Sequence, residues 1–429
     1  MHLFLVGAGH VGLVTAVGMA RLGHRVTVAD IDVARIDGLR AGRAPLFEPG
    51  LEDAIRELGD RLDFTTEARP PDGVRHSFVA VGTPYGPDGP LAMDHVLAAV
   101  RGLIDDTGPD HTVVVRSTLP MAGPDALAGL RDDRPDAPAI VTNPEFMREG
   151  SALRDFEKPG RVVVGWLAER DRAAADGVLE LYAGIDAPTL VADARSVALV
   201  KLASNVFLAM KIGYANELAR LADAFGATAS IVADGLGLDE RIGRSFLDSG
   251  PGFGGSCLPE QAVALAGIAD AADVPAPLIE AVAVSNRTHQ RAIVARLASL
   301  LEPAGLAGKR IALFGLAFKA NTDDVRESPA LAIAAELRAG GAEVVGTDPR
   351  AGAHAQAVDP RLELAPSPDA AAAGADAVLV VTEWPVYTSL DWKAIAGAMR
   401  GNLVYDTRNV VDGSDVVRAG LRLERLGRP

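Results

Sequence analysis

The chain has 429 residues, of which 48% are hydrophobic and 23% are charged, and it contains one cysteine. This length predicts two or three domains whose cores need no disulfide bonds, so nothing indicates an oxidising compartment. The formal net charge of -15 argues against a nucleic-acid partner, because a phosphate backbone is bound by a basic surface. The opening residues MHLFLVGAGHVG predict a first strand rather than a signal peptide, and no apolar run reaches membrane-spanning length. We therefore expect a cytoplasmic protein without a membrane partner.

The first elements alternate as in a parallel α/β sheet. Residues 3–6 predict a strand, residues 11–22 a helix, and residues 25–29 a β-branched strand that ends at Asp30. Further strands are predicted at residues 76–84, 111–118, 139–146 and 161–166. Each run ends in small or polar residues, and the carboxyl ends of parallel strands are where such sheets bind ligands.

The middle of the chain is helical. Residues 194–225 contain no proline and one glycine, and apolar residues recur at intervals of three and four, which predicts one long helix. Helical sequence continues to about residue 300. A helix of this length usually packs against something large, such as a second copy of the chain, so we expect a homodimer.

A second α/β series follows a turn-rich linker at residues 302–308. Its later strands are predicted at residues 342–349, 375–385 and 402–409, so the second half echoes the first. The expected domains are residues 1–192, which bind the cofactor, the central helical region 193–301, and residues 302–429.

The loop GAGHVG after the first strand predicts a dinucleotide site. Its glycines, Gly7, Gly9 and Gly12, permit a tight turn and close approach of a pyrophosphate to a helix N-terminus. Asp30, 18 residues after Gly12, is placed to bind a ribose diol, which favours NAD over NADP. The alternative is a glycine turn that serves only tight packing. His10 is interpreted as a spacer, and Arg35 either covers the adenine or is solvated.

The single cysteine, Cys257, follows a run of glycines in GPGFGGSCLPEQ, residues 250–261. A glycine-rich loop lets the backbone approach a ligand, whereas a structural cysteine normally lies in an apolar element. A nucleophilic thiol needs access and a nearby positive charge. Lys201 and Asn205 share one face of the long helix. A lysine on an apolar helix face more often extends to solvent, but the matching asparagine favours a site.

Ordered segments along nearly the whole chain resemble the UDP-glucose/GDP-mannose dehydrogenases, NAD-dependent enzymes that oxidise nucleotide sugars. The segments are GAGHVG, APLFEPGL, VGTP, RSTLP, NPEFMREGSAL, VKLASNVFLAMKIGYANE, DERIG, GFGGSCLP, GLAFKANTDDVRESPAL, TEWP and DTRN. The resemblance implies an α/β fold of two Rossmann-like doubly wound domains joined by a long central helix at which dimers form. It also implies four-electron oxidation of a sugar C6 alcohol by two NAD⁺, through a thiohemiacetal and a thioester on Cys257.

The resemblance implies residue roles as well. Lys201 would stabilise oxyanion character at C6, Asn205 would orient substrate and water, Glu145 would be the base for the hydrolytic water, and Thr118 would hold a water or contact the cofactor. The implied cofactor contacts are Gly7, Gly9, His10, Val11, Gly12, Asp30, Arg35, Gly82, Thr83, Pro84, Ser117, Thr118, Glu149 and Arg326. The implied substrate contacts are Phe146, Met147, Arg148, Lys201, Asn205, Phe253, Gly254, Phe318, Lys319 and Arg408, with Arg241 reaching the substrate of the partner subunit. No metal is expected. Alternatively, Arg326 and Arg408 form surface ion pairs and Glu145 caps a helix.

The chain departs from the family pattern after the cysteine. The family loop usually continues C-x-P-K-D, whereas here Glu260 and Gln261 replace the lysine and the aspartate. Glutamine forms hydrogen bonds but cannot accept a proton, and general-base assistance contributes ~10²–10⁴-fold. The chain would therefore make a uronic acid slowly, stop at or divert the aldehyde or thioester, or bind its ligands without turnover.

The resemblance leaves the base and the hexose open between UDP-glucose-like and GDP-mannose-type substrates. A two-electron hydroxyacid dehydrogenase with a similar domain plan is a further alternative, and it would need no thiol.

Overall fold

The computed structural model describes residues 1–84 and 91–428. The chain divides into two compact units, Met1–Ser204 and Asn205–Pro429. The division falls within one long helix, so each unit is described by itself below.

The first unit is built on an eight-stranded sheet in the described residues, in the order β3-β2-β1-β4-β5-β6-β7-β8. Strands β1 to β8 are His2–Val6, Arg25–Ala29, Leu62–Thr65, His76–Val79, Thr112–Val115, Ala139–Thr142, Val162–Trp166 and Thr189–Asp193. The predicted strands are confirmed within a few residues at their ends, and β3 and β8 were not predicted.

One strand pair departs from the expected parallel sheet. Strands β6 and β7 pair antiparallel, while the other neighbours in this sheet are parallel. The helix that connects them, Ala152–Glu157, has six residues and rises about 9 Å, which is too short to carry the chain back along the sheet. The connection therefore stays at the end of β6, and it keeps residues 143–151 at the ligand-binding edge.

Helices cover both faces of this sheet. Helices α1 to α7 are His10–Arg21, Val33–Arg40, Leu51–Glu57, Asp94–Asp106, Gly123–Gly129, Ala152–Glu157 and Arg172–Glu180, with a 3₁₀ turn at Glu169–Asp171. Leu3 and Leu5 of β1 pack into one hydrophobic cluster and Phe4 into the other, because successive side chains of a strand point to opposite faces. Burial on both faces explains the continuous apolar runs in the sequence.

The long helix predicted from the sequence is α8, Ala194–Phe225. By length and composition alone it could cross a membrane: its most apolar window has a mean hydropathy of 1.4, and 44% of that window is buried in the protein. Core helices of soluble proteins meet the same criterion. Lys201, Asn205 and Asn216 on α8 are buried in the protein.

The second unit contains a six-stranded parallel sheet in its described residues, in the order β11-β10-β9-β12-β13-β14. Strands β9 to β14 are Arg310–Phe314, Glu343–Thr347, Glu363–Leu364, Ala377–Val380, Leu403–Asp406 and Arg422–Arg425. Helices α9 to α16 are Ala229–Gly237, Cys257–Ala271, Pro277–Leu300, Pro329–Ala339, Gly352–Val358, Pro368–Ala372, Trp392–Ala398 and Gly413–Arg418, with a 3₁₀ turn at Pro385–Ser389. The predicted second α/β series, which resembles the first half of the chain, is confirmed. The edge strands β11 and β14 were not predicted.

Candidate active site

The turn between β1 and α1 has the shape of a pyrophosphate cradle. Gly7 has φ +106°, and a Cβ on Gly12 would lie 1.9 Å from the carbonyl oxygen of Gly7, so both positions require glycine. A Cβ on Gly9 would meet nothing within 4 Å, which leaves open space in front of the first turn of α1. The residues therefore fit the phosphates of a dinucleotide at a helix N-terminus.

Asp30 lies at the end of β2, beside this turn. Its Oδ2 accepts hydrogen bonds from Ala8 N at 2.7 Å and Arg35 Nη1 at 3.0 Å, and its Oδ1 accepts from Asp32 N at 3.0 Å. Burial alone would raise the pKa of Asp30, but these hydrogen bonds and the charge of Arg35 outweigh it and lower the pKa. Asp30 is thus held as a carboxylate, the form that accepts hydrogen bonds from a ribose diol. The Asp30–Arg35 pair was not predicted.

The sequence analysis also missed the partner of His10. Nε2 of His10 lies 2.8 Å from Oε2 of Glu48, whose side chain is 1% exposed. Glu48 accepts two further hydrogen bonds, from Gly150 N at 2.7 Å and from Ala152 N at 2.8 Å. His10 is therefore more than a spacer, because it connects the cofactor loop to Glu48.

Glu145 and Lys201 form a buried ion pair in the first unit. Nζ of Lys201 donates to Oε1 of Glu145 at 3.0 Å and to its backbone oxygen at 2.6 Å, while Met147 N donates to Oε2 at 2.6 Å. Lys201 is 3% exposed, so it does not extend to solvent, and Glu145 lies in a loop rather than at a helix N-terminus. Burial would raise the pKa of Glu145, but Lys201, the Met147 N–H and Arg116 outweigh it and lower the pKa.

Aromatic and cationic side chains surround this pair. The guanidinium carbon of Arg161 lies 3.9 Å from the ring centre of Phe146, and Nζ of Lys201 lies 5.3 Å from it. Such cation–π contacts fix the ring. Arg148 points away to Asp155 at 2.7 Å, with a side chain that is 60% exposed.

A buried arginine at the end of β5, Arg116, orders the same edge of the sheet. It donates to Thr15 Oγ1 at 2.7 Å, to Asn143 Oδ1 at 2.7 Å and to the Tyr182 hydroxyl at 3.0 Å. A cavity beside Glu145 is lined in part by Arg116, Phe146 and Arg161. Arg116 was not predicted as a site residue, although it is the first residue of the segment RST that ends at Thr118.

Two more predicted cofactor segments meet at the strand ends. Ser117 Oγ donates to the backbone oxygen of Val81 at 2.6 Å, beside Gly82, Thr83 and Pro84, and Thr118 is half-buried. Val11 lies in the first turn of α1. Glu149 lies close enough to His10 to raise the pKa of the imidazole.

Cys257 is the first residue of α10 in the second unit, and it is exposed. The sequence analysis placed it within the glycine-rich loop; in the structure that loop ends at Ser256, whose Oγ lies 3.8 Å from Sγ. The helix can begin there because Pro259 occupies its first turn, where a backbone N–H has no intrahelical partner. The thiol therefore stands at a helix N-terminus with solvent access.

The loop that leads to Cys257 is held by helix α11 and by the backbone at Glu327. Asn286 both accepts from Phe253 N at 3.0 Å and donates to Phe253 O at 2.9 Å, and His289 Nε2 lies 2.7 Å from Gly250 O. A Cβ on Gly254 would lie 2.4 Å from Glu327 O. A side chain at position 254 is therefore excluded, and the loop backbone packs directly against residue 327.

Asn205 and Gln261 form an amide pair. Nδ2 of Asn205 donates to Oε1 of Gln261 at 2.9 Å, and the two residues are 8% and 4% exposed. Gln261 thus occupies a buried position on the first turns of α10, one turn beyond Cys257. An amide there orients Asn205 but accepts no proton.

Three of the predicted substrate residues of the second unit come together, whereas Arg241 and the predicted cofactor contact Arg326 pair with nearby aspartates. Arg408 donates to Phe318 O at 3.2 Å and to Val381 O at 2.8 Å, and the Phe318 ring lies 2.9 Å from where a Cβ on Gly255 would stand, so these residues come together. Lys319 Nζ lies 5.5 Å from the Phe318 ring centre. Arg326 pairs with Asp324 at 2.6 Å, and Arg241 pairs with Asp239 at 2.6 Å with a side chain that is 88% exposed. Arg241 is not brought to the Phe318–Arg408 contacts.

Over residues 1–84 and 91–428, no group of three or more His, Cys, Asp or Glu side chains is arranged to hold a metal ion.

The dinucleotide turn on one α/β unit, with an exposed thiol on a second α/β unit, defines the class of nicotinamide-dependent oxidoreductases. Family models match three stretches of the chain: the NAD binding domain at residues 1–186, the central domain at residues 195–288 and the UDP binding domain at residues 312–413. The chain belongs to the UDP-glucose/GDP-mannose dehydrogenase family, whose members oxidise nucleotide sugars with NAD.

Individual relatives match this chain over its full length. The chain is 38% identical over 440 residues to a UDP-glucose 6-dehydrogenase of Rhizobium meliloti, covering 100% of both chains. It is 37% identical to one of Bacillus subtilis, covering 100% of this chain and 98% of the relative. Its fold is similar to that of a UDP-glucose dehydrogenase from the hyperthermophilic archaeon Pyrobaculum islandicum, with a TM-score of 0.89, 38% identity and coverage of 100% and 98%.

Proposed function

We propose that the protein oxidises the C6 alcohol of a UDP-hexose, with UDP-glucose as the first candidate, to the uronic acid. The observation that carries this proposal is the exposed thiol of Cys257 at the start of α10, on a loop held by Asn286 and His289. A simple alcohol dehydrogenase needs no such thiol, whereas oxidation of an aldehyde requires a tetrahedral adduct from which hydride can leave. The full-length UDP-glucose 6-dehydrogenase relatives support the choice of sugar.

The alcohol, two NAD⁺ and one water give the carboxylate, two NADH and three protons. When bound, NAD supplies the acceptor for each hydride. The C6 alcohol becomes an aldehyde, Cys257 Sγ adds to its carbon to give a thiohemiacetal, and loss of the second hydride leaves a thioester. Water cleaves the C–S bond and returns the thiol.

We assign the proton chemistry to the buried polar groups. Lys201, as a cation, stabilises negative charge on the C6 oxygen. Glu145, held as a carboxylate by Lys201 and the Met147 N–H, accepts the proton of the hydrolytic water. Asn205 orients the substrate and the water, and Thr118 holds a water or contacts the cofactor.

The replacement of lysine and aspartate by Glu260 and Gln261 alters this chemistry. The hydrogen bond from Asn205 to Gln261 preserves the orientation of the asparagine, but it supplies no proton acceptor in the second unit. We therefore propose that hydrolysis depends on Glu145 alone and that the thioester is the slowest intermediate to turn over.

We assign binding to the remaining predicted residues. The glycines of the β1–α1 turn, with Asp30, Arg35 and Ser117, would hold NAD. Phe318, Lys319 and Arg408 would hold the sugar nucleotide, and the match to a UDP binding domain at residues 312–413 supports uridine as the base.

We propose a homodimer in the cytoplasm. Phe207, Tyr214 and Leu221 recur at seven-residue intervals on α8 and are 56%, 52% and 52% exposed. A stripe of this spacing suits a partner helix. Arg241, exposed and in its own turn, would then reach the substrate of the partner subunit.

The decisive experiment counts NADH formed per sugar consumed, with UDP-glucose, UDP-N-acetyl sugars and GDP-mannose as substrates. Two NADH with uronic acid as product is the expected result. One NADH with an aldehyde product would replace the proposal with two-electron oxidation, and saturable binding without NADH would replace it with a non-catalytic binding protein.

A further inference from the structure

The cofactor turn and the loop that carries Glu145 share one acidic anchor. This anchor is Glu48, which is 4% exposed and lies between His10 of the cofactor turn and the backbone N–H groups of Gly150 and Ala152. We name residues 143–151 the Glu145 loop. Glu48 therefore connects the turn that would receive the pyrophosphate to the segment that holds the proposed base.

We propose that His10 is a positioning residue that, in its protonated form and through Glu48, fixes the cofactor turn against the Glu145 loop and so strengthens binding of NAD. The proposal rests on NAD binding and is independent of the identity of the sugar. Neutral His10 also donates to Glu48, but a hydrogen bond between two charged groups is roughly twice as strong. The buried carboxylate of Glu48 is better compensated by a cation than by a dipole.

The carboxylates that face His10 favour the protonated form of its imidazole. Carboxylates approach from both packed segments: Glu48 from residues 41–50, and Glu145 and Glu149 from the Glu145 loop. Opposing them are burial of the imidazole and its position at the positive N-terminal end of α1. Burial lowers the pKa of His10, but the hydrogen bond to Glu48 and the charges of Glu149, Glu48 and Glu145 outweigh it, so the pKa is raised above its ordinary 6.5.

The direction of the pH effect follows from this shift. Because the folded pKa is raised, the contribution of His10 is complete below pH 6.5, and it is lost as the pH rises through the higher folded pKa. A bound pyrophosphate adds negative charge at the same turn and moves the pKa of His10 further upward. Binding of NAD or NADH above pH 6.5 should therefore take up a proton.

The experiment measures NADH affinity by fluorescence without any sugar, so its outcome is separate from that of the proposed oxidation. Between about pH 6 and about pH 9, wild-type affinity should weaken about fivefold. His10→Gln, which keeps a donor but carries no charge, should bind with nearly constant affinity. His354→Gln is the matched control, because His354 is an exposed histidine beside Asp323 in the second unit; it should keep the wild-type profile.

Two further readouts test the proposal, and the first needs only the wild-type protein, so it applies even if His10→Gln folds poorly. Calorimetric titration of wild-type protein with NADH in buffers of different ionisation enthalpy should reveal net proton uptake above neutral pH. Without cofactor, the thermal midpoint of wild type should exceed that of His10→Gln by more at about pH 6 than at about pH 9. A flat wild-type profile, zero proton uptake, or a His10→Gln variant that retains the wild-type pH dependence would overturn the proposal.

Discussion

The two α/β units share a plan and use it differently at the end of their first strand. In both, a glycine with positive φ follows the strand, Gly7 at +106° and Gly315 at +95°, and an aspartate follows the second strand. In the first unit α1 begins after residues 7–9, so a helix N-terminus stands at the edge of the sheet. In the second unit residues 315–328 separate β9 from α12.

The aspartates after the second strand of each unit, Asp30 and Asp348, differ in how many N–H groups they accept from at the turn. Asp30 takes one backbone N–H from its turn, that of Ala8, and leaves the first turn of α1 to a ligand. Asp348 takes the N–H groups of both Leu316 and Ala317, at 2.7 and 3.0 Å, and the indole N–H of Trp384 at 2.9 Å. The second unit therefore fills the corresponding position with its own side chain, and Phe318 lies on the inserted loop while Arg408 follows β13. One topology thus leaves a helix N-terminus open at the first turn of one unit, and closes the corresponding turn with an aspartate in the other.

The largest expected effect is a loss of acid formation without a loss of cofactor binding, when the thiol of the second unit is removed. Cys257→Ala should reduce acid formation by at least about 10³-fold, because the covalent adduct is lost. NADH affinity, which belongs to the first unit, should stay within about twofold because Cys257 is exposed and its loss leaves no cavity. Product analysis by mass spectrometry and NADH titration measure the two quantities. Val263→Ala, an exposed position on the same helix, is the control. Full activity of Cys257→Ala would favour a two-electron hydroxyacid dehydrogenase.

Lys201→Met tests the buried pair of the first unit. The variant should lose about 10²–10³-fold in kcat, and unpaired burial of Glu145 should cost about 3–5 kcal/mol of stability at neutral pH. In wild type the pKa of Glu145 is lowered, so its stabilising contribution is present above its ordinary pKa of 4.5 and is lost as the pH falls through the lower folded value. The difference in thermal midpoint between wild type and variant should therefore shrink in acid.

A double variant distinguishes stability from catalysis at this pair. Lys201→Met with Glu145→Gln removes both charges, so most of the stability at neutral pH should return while activity stays low. If the double variant were as unstable as Lys201→Met alone, the ion pair would not be the source of the loss.

Parallel substitutions of the two aspartates test the comparison directly. Asp30→Ser should weaken NAD binding about 10- to 100-fold and shift preference toward NADP, because Arg35 loses its carboxylate partner and becomes available to a 2′-phosphate. Asp348→Ser should leave NAD affinity unchanged and lower stability by about 3 kcal/mol, because five N–H donors lose their carboxylate acceptor. Coenzyme titrations and thermal unfolding measure both. Weaker NAD binding in Asp348→Ser would mean that the units are not functionally separate.

The sequence predicted the elements that carry a periodic or motif signal and missed those that depend on tertiary contacts. Strands β1 and β2 and helix α8 follow from apolar periodicity, and Gly7, Gly12 and Asp30 follow from spacing. The short edge strands β3, β8, β11 and β14 have weak patterns, because an edge strand is buried on fewer sides.

The sequence also did not predict which residues pair with His10 and Lys201, because these pairs depend on tertiary contacts. His10 pairs with a residue 38 positions away and Lys201 with one 56 positions away, and spacing in sequence carries no information about such contacts. Only the resemblance to a family connected Glu145, Lys201 and Cys257. The bond between Asn205 and Gln261 needed the structure, although the sequence analysis predicts a departure from the family pattern at Gln261.

The smallest expected effect concerns that departure, within the second unit. Gln261→Asp keeps an oxygen that accepts from Asn205 Nδ2 and adds a group that accepts a proton. Thioester release should speed up about tenfold, less than the usual contribution of a general base because Glu145 still serves the wild type. Acyl-enzyme lifetime after rapid mixing with UDP-glucose and NAD⁺ is the measurement, and Gln261→Asn, which shortens the side chain equally but stays neutral, is the control. An unchanged lifetime in Gln261→Asp would mean that proton transfer at position 261 does not limit hydrolysis. The roles assigned to the Glu145 carboxylate, as proton acceptor, and to the Asn205–Gln261 pair, as an orienting group, would then be wrong.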